Sequence, residues 1–205
     1  MIYVEKLIET AEMLGTFFAE LIIALFFCKK YLEKYFKKTD VAKMIPKQNK
    51  IDLEIVEQLE YTKELLNASR ILIYEFHNGE HYSNYRSAYR FSCTYEVVKA
   101  GCQAIRYNSM CIPIACMPKL IESITNKERV IVKDLNDIKD TMPSSYSYKM
   151  RYAIEAFYDI AIKNKKGEVV GFIAIQWNNK NDVIINDRVV DKLVWLVEEK
   201  LLESV

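Results

Sequence analysis

The sequence predicts an α+β domain, with an antiparallel sheet of about five to six strands and helices packed on it, preceded by an N-terminal transmembrane helix. Three observations carry this. Short β-favouring runs bounded by turn residues recur at 71–76, 91–98, 130–132, 154–162 and 169–177. Stretches with apolar residues at helical spacing bracket them, one before the first run and one after the last. Ahead of all of these stands a nearly continuous apolar stretch, residues 13–28.

Composition bounds the rest. In 205 residues, 51% hydrophobic and 28% charged, there is room for one ordinary domain plus an appendage, and disorder is excluded. The net charge of +1 hides an asymmetry: four glutamates against one lysine give residues 1–28 a charge of −3, leaving +4 for the remainder. No nucleic-acid partner is expected from so small a surplus. Five cysteines, Cys28, Cys93, Cys102, Cys111 and Cys116, have neither zinc-site nor CxxC spacing, so no metal site is assigned and a reducing compartment fits.

Residues 1–38 read as a membrane helix with a basic juxtamembrane extension, 39–50 as a linker and 51–205 as the domain. Extending the apolar stretch back to Ile8 gives a helix of about 31 Å, enough for a ~30 Å hydrocarbon core. Ala11, Gly15 and Ala19 recur every fourth residue, the small-residue pattern that lets membrane helices approach closely. Glu20 lies on the adjacent stripe with Glu12 and Thr16, and an intramembrane carboxyl is best held against another helix, so a homo-oligomer is expected. Lys29, Lys30, Lys34, Lys37 and Lys38 follow the stretch, which predicts a single pass through the cell membrane with the C-terminal domain cytoplasmic. The alternative is an ordinary buried helix.

From Ile51, the positions Leu53, Ile55, Val56, Leu59, Leu65 and Leu66 predict a helix ending near Asn67 and lying on the sheet. Ile71 to Phe76 should be a central strand. In the next strand, alternation places Phe91, Cys93, Tyr95 and Val97 on one dry face and Ser92, Thr94 and Glu96 on the other, turned toward a ligand. A third strand is expected at 110–115, and Pro118 opens a short helix. After the strand at 130–132, the polar stretch from Ser144 to Tyr152 suggests a short helix acting as a lid, or else a plain surface connection. Asn164-Lys165-Lys166-Gly167 joins the last two strands as a hairpin loop. Asn186 or Asp187 caps a final helix carrying Val189, Val190, Leu193, Leu196, Val197 and Leu201.

Between the first two strands, residues 80–90 hold Tyr82, Tyr85, Tyr89, Arg86, Arg90 and His81 with no period that would bury them. This loop reads as the rim of a pocket. His77-Asn78-Gly79 opens it, although Asn-Gly also suits a plain tight turn and His77 a structural hydrogen bond.

Several phrases resemble a GAF domain. The hairpin at 158–175, the capped helix after it and Arg129-Val130-Ile131-Val132-Lys133-Asp134 resemble that family's closing strands, last helix and short Asp-ended strand. The match runs from Asp52 to Glu203. Phe76-His77-Asn78-Gly79 and the loop after it are similar to membrane-tethered GAF-like proteins of bacteria and phages. The resemblance implies a small-molecule sensing fold with its ligand between the sheet and the connecting helices. The chain departs from it in lacking both a bilin-attaching Cys-His pair and a clear Asn-Lys-Phe-Asp-Glu motif.

The leading reading is thus a membrane-anchored cytoplasmic sensor of a small anionic ligand. Arg86, Arg90 and Arg106 would supply charge, Tyr82 stacking, and His77, Asn78, Ser92, Thr94 and Glu96 polar contacts. No cofactor is indicated and no catalytic residue assigned. One alternative is a dimeric membrane scaffold that binds nothing. Another is a cysteine-dependent redox enzyme similar to the free methionine sulfoxide reductases, using Cys93, Cys102, Cys111 or Cys116.

Overall fold

The structure, a computed structural model, describes residues 15, 17, 18, 20–31 and 41–203. The chain divides into two units, Met1–Lys47 and Gln48–Val205. In the first, residues 20–31 are helical, and Leu21, Ile22, Ile23, Leu25, Phe26 and Phe27 are all exposed. Among the described residues, no helix is long and apolar enough to cross a membrane. Of the small-residue stripe, Ala11 and Ala19 lie outside the described residues, while Gly15 and Glu20 are helical and exposed.

The second unit is built on one antiparallel sheet. Its strands are β1 (Arg70–His77), β2 (Arg90–Val98), β3 (Ile112–Pro113), β4 (Arg129–Val132), β5 (Ala156–Lys163) and β6 (Val169–Trp177), in the order β3-β2-β1-β6-β5-β4. On the outer face, α1 (Val41–Leu65) and α4 (Asp187–Glu203) bury Ile55, Leu59, Val190, Leu193 and Val197 against Ile71, Ile73, Ile173 and Ile175. On the inner face, α2 (Pro118–Lys127) and α3 (Pro143–Arg151) cover Leu72, Tyr74, Phe91, Phe157 and Phe172.

Differences from the expected elements have local causes. Helix α1 begins at Val41, within the stretch read as a linker, because Ala42, Lys43, Met44, Lys47 and Gln48 are strong helix formers and carry it through Pro46. Strand β3 is reduced to Ile112–Pro113. Pro113 has no N–H to donate, and Cys111 sits at φ +54, which ends the extended run. Strand β5 starts at Ala156 because the Ile154 N–H is still tied to the Lys149 carbonyl at 3.1 Å, with Ala153 left-handed at φ +52.

The simple alternation expected for β2 breaks at Thr94. Ile73 pairs with Tyr95 but Tyr74 pairs with Cys93, so Thr94 is the extra residue of a bulge. Beyond it the faces exchange. Phe91 and Cys93 join the inner core while Tyr95 and Val97 join the outer one.

Candidate functional site

The rim loop folds back on itself. The Tyr82 N–H donates to the Arg86 carbonyl at 2.9 Å and the Ala88 N–H to the Glu80 carbonyl at 2.8 Å. Neither Asn78 nor Gly79 has a positive φ, so the pair is not a tight turn; Tyr85, at φ +60, makes the reversal instead. Gly79 is required for another reason: a Cβ there would lie 2.0 Å from the Ala88 carbonyl oxygen. Outside this hairpin, Tyr82, Arg86, Ser87, Tyr89, Ile114 and Ala115 line a surface depression of about 280 Å³. The Arg86 guanidinium stands 4.9 Å from the Tyr82 ring centre, a cation–π contact.

The residues expected to bind ligand fall into separate places. His77 Nδ1 lies 3.2 Å from the Asn78 carbonyl, which can only accept, so Nδ1 carries the proton and Nε2 accepts from the Ser92 hydroxyl at 2.9 Å. Ser92 Oγ in turn accepts the Cys111 N–H at 2.8 Å, and Arg90 donates to the Cys111 carbonyl at 3.0 Å. These bonds knit β1, β2 and the residue before β3. Glu96, beyond the bulge and paired with Leu72, is on the inner side of the sheet, whereas Ser92, paired with Glu75, is on the outer. Its carboxylate accepts the N–H groups of Ile105 at 2.8 Å and Arg106 at 2.9 Å, while Arg106 is exposed. Thr94 donates to the Ile73 carbonyl at 3.4 Å, and the Tyr95 hydroxyl donates to Asp52 at 2.6 Å.

A second polar cluster lies inside. On the inner face, Tyr74 and Phe172 stack at 4.7 Å with Phe91 edge-on to Tyr74 at 5.6 Å. Together with Ala174 and Gln176 they floor a cavity of about 20 Å³ roofed by Met117, Leu120, Tyr148 and Lys149, room for about one water. Met117 also lines an outer depression of about 150 Å³ framed by Pro118, Lys119 and the start of α3. Two of the lining side chains, Gln176 at 1% exposure and Lys149 at 4%, and two more on the same face, Arg70 and Asp159, both wholly buried, are of kinds that fold interiors rarely hold.

Lys149 Nζ lies 3.3 Å from Asp159 Oδ2 and 3.6 Å from the Phe157 ring centre. Burial pulls the Lys149 amine down, against the opposing pull of Asp159, and the like charge of Arg70 adds to the lowering. Burial pushes the Asp159 carboxyl up, with Lys149 opposing. Arg70 donates through Nη1 to the Tyr152 carbonyl at 3.4 Å. Arg70 Nε and Nη2, Asp159 Oδ1, Gln176 Oε1 and Asn178 Oδ1 are buried with no hydrogen-bond partner in the protein. Beside them, burial pushes the Cys93 thiol up to about 12.

Sequence reading missed Arg70, Lys149, Asp159 and Gln176. A signal existed for three of them. Arg70 is in phase with Leu72, Tyr74 and Phe76, Asp159 with Phe157 and Ala161, and Gln176 with Phe172 and Ala174, so each is a polar residue on a strand's apolar phase. Lys149 sits on a polar helix and gave none.

No protein-family model matches this chain, and no curated protein matches it. Solved structures do. A phycocyanobilin-bound GAF domain from a cyanobacterial phytochrome is 13% identical with a TM-score of 0.54, over 80% of this chain and 90% of that one. The GAF domain of PixJ from Thermosynechococcus elongatus, in its blue-light-absorbing form, is 13% identical with a TM-score of 0.54, over 77% and 86%. A GAF domain/HD domain protein from Geobacter sulfurreducens is 13% identical with a TM-score of 0.53, over 74% and 90%. The chain has a GAF-like fold, the class that its sheet order and two helical layers define.

Proposed function

We propose that this chain is a regulatory protein that binds a small molecule between the inner face of its sheet and helices α2 and α3. One observation carries the reading: polar atoms of Arg70, Asp159 and Gln176 are buried on that face without partners. Each such atom costs about 1–3 kcal/mol, which a ligand making the missing hydrogen bonds returns. The fold supports the reading, since one structure of similar architecture is described as bound to phycocyanobilin. Met117 offers a way in, because its flexible thioether separates the outer depression from the cavity.

The test is native mass spectrometry of the full chain, as wild type and as Ala174→Val, which adds two methyl groups to the cavity floor. A small molecule released from the wild type and lost from the variant is expected. A protein that is empty after gentle purification, and whose melting no metabolite panel shifts, would overturn the reading.

The proposal extends to the N-terminal unit: a homo-oligomer on the cell membrane, single-pass, with the C-terminal domain cytoplasmic. The exposed apolar side chains at 21–27 need lipid or a second helix as cover, and Lys29 and Lys30 follow them. Alkaline extraction of membranes carrying the full chain should leave it in the pellet. Release into the supernatant by wild type and Glu20→Leu alike would sink this part.

A further inference from the structure

Resting on that reading, we infer that the occupant of the inner face is a small carboxylate or similar oxyanion, gripped by one edge of the Arg70 guanidinium. The two donors of Arg70 that lack partners are not an arbitrary pair. Nε–H and the near Nη2–H are the parallel donors of a single guanidinium edge, spaced to match two oxygens of one carboxylate, nitrate or phosphate. The remaining nitrogen, Nη1, is held by the Tyr152 carbonyl at 3.4 Å, so the fork is aimed as well as unfilled.

The protein's own acids do not reach it. Asp159 turns Oδ2 to Lys149, and Glu96 has one oxygen engaged by the Ile105 amide and the other by the Arg106 amide. Arg70, Lys149 and Asp159 are buried on this face and Glu96 is half-buried on the same side, so what Arg70 lacks is hydrogen-bond partners for its fork. Burial lowers the Arg70 guanidinium and the charge of Glu96 offsets this only from a distance, so two buried donors stay costly until an acceptor such as an anion meets them. Gln176, which lines the cavity, pairs with Arg70 across β1 and β6, so the two side chains leave neighbouring strands on the same face. At about 20 Å³ the cavity holds about one water, so the anion enters only as Met117 swings aside.

The experiment titrates the ¹⁵N-labelled full chain, at fixed ionic strength, with acetate, lactate and inorganic phosphate, using acetamide as the uncharged control. The resonance read is the Arg70 Nε–H, assigned by its loss in Arg70→Lys. A saturable shift with at least one anion and none with acetamide is expected, together with at least tenfold weaker binding to Arg70→Lys, which keeps the charge but loses the parallel donors. If that variant does not fold, the Nε–H is assigned through its bonds to the Arg70 backbone and the wild-type titration decides. An unmoved Nε–H, or acetamide acting as well as acetate, overturns the anion site. The two proposals fail separately: a neutral molecule released from the wild type but not from Ala174→Val, with all anions inert, ends this inference and leaves the binding function standing.

Discussion

Replacing Lys149 by Met tests the inner face most sharply. The methionine follows the lysine stem over Phe157 but removes the cation, leaving Asp159 wholly buried with Oδ1 already unpartnered and Oδ2 newly so. Breaking a buried pair from one side costs about 3–5 kcal/mol. For a chain of this size that lowers Tm by roughly 6–20 °C. Removing both charges, in Lys149→Met/Asp159→Leu, should bring stability back to within about 1 kcal/mol of wild type or above it.

The single variant should also depend on pH. Burial already raises the Asp159 carboxyl above its ordinary 3.8, and loss of the lysine raises it further. A carboxyl that holds its proton more firmly when folded contributes stability that is fully present below 3.8 and is lost as pH rises through the folded value. The deficit of Lys149→Met is therefore full near neutrality and shrinks toward about pH 4.5. Urea unfolding of the full chain followed by far-UV circular dichroism at both pH values measures it. A deficit under about 1 kcal/mol at neutral pH, or a double variant as unstable as the single, would refute the account of the pair.

Three further outcomes are expected. Gly79→Ala should cost about 1–3 kcal/mol by driving a methyl into the Ala88 carbonyl; an unchanged melting curve would mean the loop has no such close approach. With its thiol near 12, Cys93 should be about 10⁻⁴ thiolate at pH 8 and resist iodoacetamide while exposed Cys111 and Cys116 react. Peptide mapping that finds Cys93 labelled as fast as those two contradicts its burial. Trp177→Phe removes the indole N–H donated to the Leu66 carbonyl at 3.0 Å, and should lose about 1–3 kcal/mol; a loss too small to resolve in urea would deny that bond any weight.

The layers were legible where period decides them. β6 follows the expected run at 169–177, and the spacing of Val190, Leu193 and Val197 marks the face that α4 buries. Asn186 does stand at the start of that helix, its side chain accepting the Val189 N–H at 3.4 Å. The reading lost accuracy wherever one residue's backbone state intervened, as at Cys111, Ala153 and Thr94, because no periodicity encodes a left-handed φ or an extra residue. For the site, an unpatterned aromatic loop drew the eye to Tyr82 and Arg86, which do meet, but on the surface. Arg70 was passed over as the polar edge of a strand. Its one hydrogen bond runs to the residue just after α3, Tyr152, a contact between residues 82 positions apart in the chain.

The extra residue at Thr94 gives β2 two opposed phases about one point, and so fixes where this part of the chain can change length. Deleting it would close β2 into one unbroken alternation, with Phe91 and Cys93 still turned inward and Tyr95 and Val97 still outward, at the loss of the Thr94 bond to the Ile73 carbonyl. Residue 94 should therefore tolerate loss as the hairpin at 78–89 tolerates changes of length, whereas dropping Ser92 instead would turn Cys93 outward and bring Thr94 into the core.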